Sequence, residues 1–140
     1  MSVYLDASVL VAAFIDDKFS PRADAFLRST STDVIVSDFA SLEFSSVVAR
    51  KVRARELRRK EALAAFENFD VWSIRVASRA ETHPTDLEVA SSFVRRLDLA
   101  LKGPDAMNIA IAIRLRAAIA TFDRRMAECA RALDGDTAAV

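Results

Sequence analysis

The sequence predicts an α/β fold in which a parallel sheet is covered by helices on both faces. Segments with helical patterns alternate with short apolar runs, and this alternation is typical of parallel sheets. The chain has 140 residues, 52% of them hydrophobic, with only two Gly and three Pro. These values predict one compact, helix-rich domain over residues 1–140. The four apolar runs with the composition of buried strands are Val3–Leu5, Val34–Val36, Val71–Val76 and Ala118–Phe122.

The first third of the chain predicts two strands, each followed by a helix. Val3–Leu5 is ended by Asp6-Ala7-Ser8, and the apolar run of residues 9–15 then fits a buried helix capped near Asp6 or Ser8. Ser20-Pro21 indicates the start of another helix, because proline is well tolerated in the first turn. The strand Val34–Val36 is predicted to end at Ser37-Asp38.

The middle of the chain predicts a helical hairpin and a third strand. From Asp38 to about Ala54, Ala40, Phe44, Val47, Val48 and Val52 form one apolar stripe, and Glu43 borders it. A second helix is predicted over roughly Arg58–Phe69. The β-prone run Val71–Val76 is predicted to be the third strand.

The last third predicts a helix over Thr85–Leu101 and then the stretch GPDAMNIAIAIRLRAAIATFD, Gly103–Asp123. Gly103-Pro104 indicates a break followed by a helix that is apolar on nearly every side, so this helix is predicted to be buried. Ala118–Phe122 is the predicted fourth strand. A helix from Asp123 and a tail containing Gly135 complete the chain.

Charge and composition exclude several classes of protein. The formal net charge is zero, so bulk charge indicates neither a nucleic-acid nor a membrane partner. The N-terminal apolar run lacks a preceding basic residue and contains Asp6, which is unlike a signal peptide. Arg114 and Arg116 interrupt the longest apolar stretch before it reaches the length of a membrane span. With the single Cys129, these features predict a cytoplasmic protein that has no membrane segment.

Four acidic residues are the candidate active-site residues. Asp6 and Asp123 follow predicted strands, Glu43 lies on the helix after the second strand, and Asp105 begins the buried helix. Ligands of α/β proteins bind at the carboxyl ends of the strands, although a helix start such as Asp105 can lie at either edge of the sheet. Taken singly, the acids are better explained by structural roles: helix caps for Asp6 and Asp123, helix-dipole stabilisation for Asp105 and a solvated helix edge for Glu43. Taken together, acids that follow apolar runs at predicted strand ends favour a site.

If the four carboxylates are adjacent, a cation must compensate their charge or their pKa values must rise. An all-oxygen set suits Mg²⁺ or Mn²⁺, and the lack of a His or Cys cluster argues against zinc. Such a site activates water and stabilises charge on a phosphate, so it predicts phosphodiester hydrolysis. Ser8, Thr121 and Asn108 are predicted to support the carboxylates, because Thr121 and Asn108 share a face with Asp123 and Asp105 respectively.

Basic residues are candidates for binding the phosphates of RNA. Arg50–Lys60 is a dense basic segment in which Arg50 and Arg53 are the proposed contacts, and Arg124 and Arg125 follow Asp123 directly. The alternative for all four is a solvated helix surface.

The sequence resembles PIN-domain ribonucleases, and most closely the VapC-type toxins of bacterial toxin–antitoxin pairs. The resemblance rests on VYLDASVLVAAF, on Glu43 within SDFASLEFSSVV, on GPDAMNIAIAIRLRAAIATFDRRM and on the order of the four acids. It implies a three-layer α/β/α fold with a short parallel sheet of four to five strands. It also implies Mg²⁺- or Mn²⁺-dependent cleavage of RNA by Asp6, Glu43, Asp105 and Asp123, a homodimer, and inhibition by a VapB-like antitoxin.

Three other functions are compatible with parts of the pattern. A haloacid-dehalogenase-type phosphatase also uses an acid after its first strand, but it needs a second aspartate where this chain has Ser8. A response-regulator receiver needs an N-terminal acidic pair and a lysine after a late strand, and both are missing here. A non-catalytic PIN-like RNA-binding domain does not need an intact acidic set. The short tail leaves open whether a last edge strand forms at residues 136–140.

Overall fold

A computed structural model describes all residues from 1 to 140 and contains one four-stranded parallel sheet. The strands are β1 (Ser2–Leu5), β2 (Asp33–Ser37), β3 (Ser78–Ala80) and β4 (Ala118–Ala120). Their order in the sheet is β3-β2-β1-β4. Tyr4 at the centre of β1 pairs with Ile35 of β2 on one side and with Ile119 of β4 on the other. The predicted α/β fold with a parallel sheet of four to five strands is confirmed.

Seven helices connect and cover the strands. Successive crossovers from β1 to β2 and from β2 to β3 proceed in one direction, whereas the connection from β3 to β4 returns past β1. Because such crossovers are right-handed, the helices of the first two connections cover one face and those of the third cover the other. The helices are α1 (Ala7–Phe14), α2 (Ser20–Ser29), α3 (Asp38–Arg53), α4 (Arg59–Arg75), α5 (Pro84–Val94), α6 (Gly103–Arg114) and α7 (Arg124–Ala132).

The buried core joins the strands to α1, α3 and α6. Tyr4, Leu5 and Ile119 of the sheet are fully buried. Every residue of α6 from Ala106 to Ala112 is buried, as the all-round apolar pattern predicted. No helix is both long and apolar enough to cross a membrane.

The prediction of a strand at Val71–Val76 is wrong, because α4 continues through it to Arg75. The helix buries Ala65, Phe69 and Ser73, which recur at intervals of four, and leaves Ile74 75% exposed. The burial of one face of the helix therefore stabilises α4 more than the β-propensity of Val71, Ile74 and Val76 favours a strand. The third strand is instead the short edge strand β3, which pairs with β2.

Two other boundaries differ from the prediction. Helix α5 ends at Val94 rather than Leu101, and Leu97 follows with a left-handed φ of 66° and a side chain that is 88% exposed. Strand β4 ends at Ala120 rather than Phe122. The tail adds a single parallel bridge between Ile119 and Thr137 instead of a full fifth strand.

Candidate active site

All four predicted acids line one cavity at the carboxyl end of the sheet. Asp6 follows β1 and Asp123 follows β4, and these strands are neighbours at the point where the direction of the crossovers reverses. Such a switch point leaves a crevice outside the strand ends. Glu43 from α3 and Asp105 from α6 complete the wall of a cavity of about 690 Å³. We call this space the acidic cavity.

Asp6 is held by three donors although it is only 5% exposed. Ser8 Oγ donates to Oδ1 over 2.6 Å, Thr121 Oγ1 donates to Oδ2 over 2.6 Å, and the Val9 amide donates to Oδ1 over 3.2 Å. Burial raises the pKa of Asp6, whereas these hydrogen bonds oppose the rise. Asp6 is therefore the N-cap of α1 and also lines the cavity, so its interpretation as a helix cap is compatible with its interpretation as a candidate active-site residue.

Ser8 and Thr121 also tie the ends of β1 and β4 together. Ser8 Oγ accepts a hydrogen bond from the Phe122 amide at 2.9 Å, and Thr121 Oγ1 accepts one from the Asp123 amide at 3.0 Å. Each hydroxyl thus donates to Asp6 and accepts from the segment that carries Asp123. The predicted supporting role of both residues has a direct structural basis in these contacts.

Glu43 is positioned by Asn108, which lies one turn after Asp105 in α6. Asn108 Nδ2 donates to Glu43 Oε1 over 2.5 Å and to the Pro104 carbonyl over 3.1 Å. The amide oxygen of Asn108 accepts from the buried Tyr4 hydroxyl over 2.6 Å, which fixes the orientation of the amide. Burial and the charges of Asp6 and Asp105 raise the pKa of Glu43 to about 7, although the hydrogen bond from Asn108 lowers it.

Asp105 and Asp123 interact through their charges. Asp105 lies in the first turn of α6, where Pro104 is well tolerated, and its side chain is partly buried. Burial and the charge of Asp123 raise the pKa of Asp105, and the nearby Lys102 opposes the rise. Asp123 is the exposed N-cap of α7 and accepts from the Met126 amide at 3.1 Å. Asp105 therefore lies at the same edge of the sheet as the other acids.

The donor set of the acidic cavity fits a hard divalent cation. The four acids are all oxygen donors, and the side chains that donate to Asp6 and Glu43 are neutral, so these contacts do not cancel the negative charge. No three acidic side chains are grouped closely enough to hold one ion between them. Mg²⁺ is commonly bound through one or two carboxylates with several waters retained, and the cavity offers carboxylates of this kind.

Basic residues line part of the acidic cavity, and only one of them was among the predicted RNA contacts. Arg50 lines the cavity together with Lys51 and Lys102, which the sequence analysis did not select. Arg53 and Arg125 are exposed and line neither this cavity nor the next one. Arg124 lines an adjoining cleft on the other side of Phe122.

Asp17 and Phe19, which were not predicted from the sequence, also line the acidic cavity from the loop before α2. The backbone folds back there, because Asp17 Oδ1 accepts from the Phe19 amide at 2.6 Å and Ser20 Oγ donates to the Ile15 carbonyl at 2.9 Å. An aspartate three residues before Ser20 was the only sequence signal for this turn.

A second, mostly apolar cavity of about 530 Å³ lies between α5 and α6 and is lined by none of the four acids. Arg95 is its only ionisable residue, and Phe39, Leu87 and Met107 supply much of its wall. It therefore lacks a set of groups that can perform acid–base chemistry.

Comparison with known proteins agrees with this architecture. The family model for the PIN domain matches residues 3–132. No curated protein shows significant sequence similarity to the chain. Among solved structures, VapC20 from Mycobacterium tuberculosis, described as a toxin that cleaves the sarcin–ricin loop, has a TM-score of 0.71 at 19% identity over 90% of this chain and 93% of that chain.

Two further solved structures have similar folds. FitAcB from Neisseria gonorrhoeae has a TM-score of 0.71 at 18% identity, over 96% of this chain and 95% of that chain. VapBC2 from Rickettsia felis, bound to a DNA fragment from its promoter, has a TM-score of 0.66 at 13% identity over 92% and 93% of the two chains. At these identities the likeness establishes a shared fold.

Proposed function

The chain belongs to the PIN domain family, and we propose that it is a Mg²⁺- or Mn²⁺-dependent endoribonuclease of the VapC type. One observation carries the proposal: carboxylates from four separate segments, Asp6, Glu43, Asp105 and Asp123, line the same cavity at the carboxyl end of the sheet. If the acids served only as helix caps, the fold would need Asp6 and Asp123 but would not need Glu43 and Asp105 in the same cavity. Metal-dependent hydrolysis of a phosphodiester is the chemistry that this donor set favours.

One or two of the four carboxylates would hold the ion directly and the others would accept hydrogen bonds from its retained waters, and Asp17 is a further candidate on the same wall. A bound ion of this kind supplies an activated water and stabilises negative charge on the phosphate. Ser8 and Thr121 hold both oxygens of Asp6, and Asn108 holds one oxygen of Glu43. These neutral donors fix the direction of the carboxylates while leaving their negative charge available to a cation.

Cationic side chains at the same cavity give the substrate its orientation. Arg50, Lys51 and Lys102 line the wall together with the acids, so a phosphate that approaches the carboxylates also meets positive charge. Electrostatic attraction of this kind is independent of sequence and gives a protein of zero net charge a local affinity for RNA. The role of these residues is binding, whereas the acids carry the chemistry.

The biological role that we propose is that of the toxin in a type II toxin–antitoxin pair. The likeness to VapC20, VapBC2 and FitAcB motivates this role. With this role we also propose a VapB-like antitoxin as inhibitor, a homodimer and a cytoplasmic location. A haloacid-dehalogenase-type phosphatase is disfavoured because Ser8 occupies the position of its second acid and donates to Asp6.

The direct test is RNA cleavage by the purified chain, free of any antitoxin, with Mg²⁺, with Mn²⁺ and with excess EDTA. We expect cleavage of a structured RNA with either metal, none with EDTA, and none with Asp105→Asn. Asp24→Asn is the matched control, since Asp24 is an exposed acid on α2 outside the cavity, and this variant should cleave normally. Cleavage that survives both EDTA and Asp105→Asn would contradict the mechanism. Binding of RNA without any cleavage would favour the non-catalytic RNA-binding alternative.

A growth assay tests the biological role separately. Induced expression of the chain in bacteria is expected to arrest growth, and expression of Asp105→Asn at the same level is not. Arrest by both proteins would show that toxicity does not depend on the acidic cavity.

A further inference from the structure

The cavity between α5 and α6 has the size and the lining of a small-molecule site. Its volume is about 530 Å³, and ligand sites are typically mostly apolar cavities of about 300–1,000 Å³. The apolar side chains of its wall come from α3, α5 and α6, and they are Phe39, Leu87, Ala90, Val94, Pro104 and Met107. The proposed ribonuclease function leaves this space without a role. We call it the apolar cavity.

The apolar cavity combines a buried floor with an open rim. Met107 is 6% exposed, whereas Leu87 on the facing helix is 60% exposed. Gly103 also lines the cavity, and a Cβ atom at this position would meet no other atom within 4 Å. The φ of Gly103 is not in the left-handed region, so the backbone there does not require glycine. The absent side chain therefore leaves room at this part of the wall.

Ser91 and Arg95 supply the only polar side chains of the lining. They are four residues apart at the C-terminal end of α5, so they lie on the same side of the helix. Arg95 forms no ion pair, whereas the adjacent Arg96 binds Asp98 at 2.9 Å. Neither the Ser91 hydroxyl nor the Arg95 guanidinium forms a hydrogen bond within the chain. Both groups are therefore free to bind a ligand.

The charge of the lining limits the class of ligand. Arg95 is a single cation in a wall that contains no acid. A molecule with one negative charge complements it, whereas the remaining wall favours an apolar body. A ligand with several charges would have to place some of them against apolar side chains, which is unfavourable. The lining therefore fits an amphipathic monoanion.

We propose that the apolar cavity binds an amphipathic carboxylate, which is a molecule with an apolar chain and one carboxylate group. The chain contacts Leu87 and Met107, and the carboxylate accepts hydrogen bonds from Arg95 and Ser91. This binding site is separate from the acidic cavity and does not depend on the proposed ribonuclease function. Pro104 lines the apolar cavity and the next residue, Asp105, lines the acidic cavity, so a bound ligand contacts the helix that carries Asp105.

The test uses sodium decanoate, kept below its micelle concentration and titrated into the full chain by isothermal calorimetry. Methyl labelling of the three methionines with ¹³C locates the bound ligand by nuclear magnetic resonance. Met107 lines the apolar cavity, whereas Met126 is buried in α7 and is the internal control. We expect saturable binding of one molecule per chain, with a shift of the Met107 signal and none of the Met126 signal.

A pair of adjacent variants tests whether the ligand occupies this cavity. Ser91→Phe is expected to weaken decanoate binding at least about tenfold, because the ring fills space that the ligand chain needs. Ser92→Phe is the matched control, since Ser92 is exposed on the same helix and does not line the cavity. It should bind decanoate as the wild-type chain does. Circular dichroism checks that both variants are folded.

Changes of charge and of chain length test the class of ligand. Arg95→Gln is expected to weaken decanoate binding about threefold, the effect of an exposed ion pair, and to leave decanol binding unchanged. Arg75→Gln is the control, since Arg75 is exposed on α4 outside the cavity. Octanoate should bind about fifteenfold more weakly than decanoate, or about fourfold for each methylene group that is no longer buried.

A wild-type chain that binds no decanoate, or Ser91→Phe that binds it with unchanged affinity, would overturn the proposal. Equal shifts of the Met107 and Met126 signals would also overturn it, because they would show a general effect of a surfactant. If decanoate does not bind and sedimentation shows a dimer that dissociates in Ser91→Phe, a second copy of the chain covers the cavity instead. Failure of the ribonuclease proposal has a different signature, which is a wild-type chain that binds decanoate but cleaves no RNA.

Discussion

Asn108 donates a hydrogen bond of 2.5 Å to the carboxylate of Glu43 and thereby joins α6 to α3 inside the acidic cavity. The same amide accepts from the buried hydroxyl of Tyr4, whose pKa is raised by burial so that the proton stays on the oxygen as a donor. The central strand therefore fixes Asn108, and Asn108 fixes Glu43. This chain of contacts explains how one buried tyrosine orients a carboxylate that it does not touch.

Asn108→Ala is predicted to lower the free energy of unfolding by about 2 kcal/mol, because Tyr4 loses a buried acceptor. It is also predicted to lower kcat more than it raises KM, since Glu43 loses the group that orients it. Urea denaturation and steady-state RNA cleavage measure the two effects. Ser92→Ala, which removes a hydroxyl from the exposed face of α5, is the control and should change stability by less than about 0.5 kcal/mol. An unchanged kcat in folded Asn108→Ala would contradict the orienting role.

Thr121→Val is predicted to destabilise the protein by about 1–3 kcal/mol, because the buried Asp6 loses one of its donors. Thr121→Ser keeps a hydroxyl at the same position and is predicted to restore most of the stability and the activity. Thermal unfolding and RNA cleavage of both variants provide the comparison. A defect in Thr121→Ser with none in Thr121→Val would show that the methyl group, and not the hydrogen bond, is what matters at this position.

The ion pair between Asp86 and Arg114 predicts a pH-dependent contribution to stability. Arg114 Nε donates to Asp86 Oδ1 over 2.7 Å, and the Asp86 side chain is only 3% exposed. Burial alone would raise the pKa of Asp86, but the hydrogen bonds from Arg114 and from the His83 amide outweigh it and lower the pKa. The folded-state pKa thus lies below the unfolded one. The ion pair therefore contributes fully to stability at neutral pH, which is above the pKa near 4 of an aspartate in the unfolded chain. This contribution is lost as the pH falls through the lower pKa of Asp86 in the folded protein.

Asp86→Asn is therefore predicted to cost about 3 kcal/mol at pH 7, because it leaves Arg114 without its carboxylate. The difference in the free energy of unfolding between Asp86→Asn and the wild-type protein should narrow as the pH falls below 4. Urea denaturation from pH 7 to pH 3 measures this difference. Asp98→Asn, at the exposed pair with Arg96, is the control and should leave the midpoint nearly unchanged at every pH. A difference that widens in acid would contradict the sign of the shift.

Helix α4 predicts a sharp contrast between two neighbouring apolar residues. Phe69 is 5% exposed and packs against Phe14 and Phe44, with ring centroids 5.5 Å and 4.6 Å away, whereas Ile74 is 75% exposed. Phe69→Ala is predicted to cost about 3–5 kcal/mol and Ile74→Ala less than about 0.5 kcal/mol, as measured by urea denaturation. A large loss in Ile74→Ala would instead support a buried strand at residues 71–76.

Asp6 and Asp123 could be located from the sequence because each follows a short apolar run that forms a strand of the sheet. The sequence could not decide between capping and lining the cavity, and the structure shows that both residues do both. Asp105 needed the family resemblance, because a helix on the return connection can begin at either edge of the sheet. Burial and the charge of Asp123 raise the pKa of Asp105, and both arise from the packing of α6, which the sequence pattern does not reveal.

Other features depend on contacts that no local pattern encodes. The prediction of a strand at Val71–Val76 was wrong. It rested on the high β-propensity of the apolar residues, whereas the buried residues Phe69 and Ser73 follow a helical period. Lys51 lies in α3 within the basic segment Arg50–Lys60 and Lys102 directly precedes α6, yet both line the same cavity. The stack of Phe19 on Phe122 joins residues 103 positions apart in sequence and was not predictable from either residue.

The central claim is that the acidic cavity binds a divalent cation through the carboxylates of Asp6, Glu43, Asp105 and Asp123, directly or through the waters that the ion retains. Titration of Mn²⁺ into the purified chain, followed by the loss of the free-ion electron paramagnetic resonance signal, tests it without requiring any RNA. We predict saturable binding in the wild-type chain and in Asp24→Asn, competition by Mg²⁺, and binding weakened at least about tenfold in Asp6→Asn, Glu43→Gln, Asp105→Asn and Asp123→Asn, because each variant removes a charged oxygen donor. Mn²⁺ binding that is equal in the wild-type chain and in all four variants would contradict the claim.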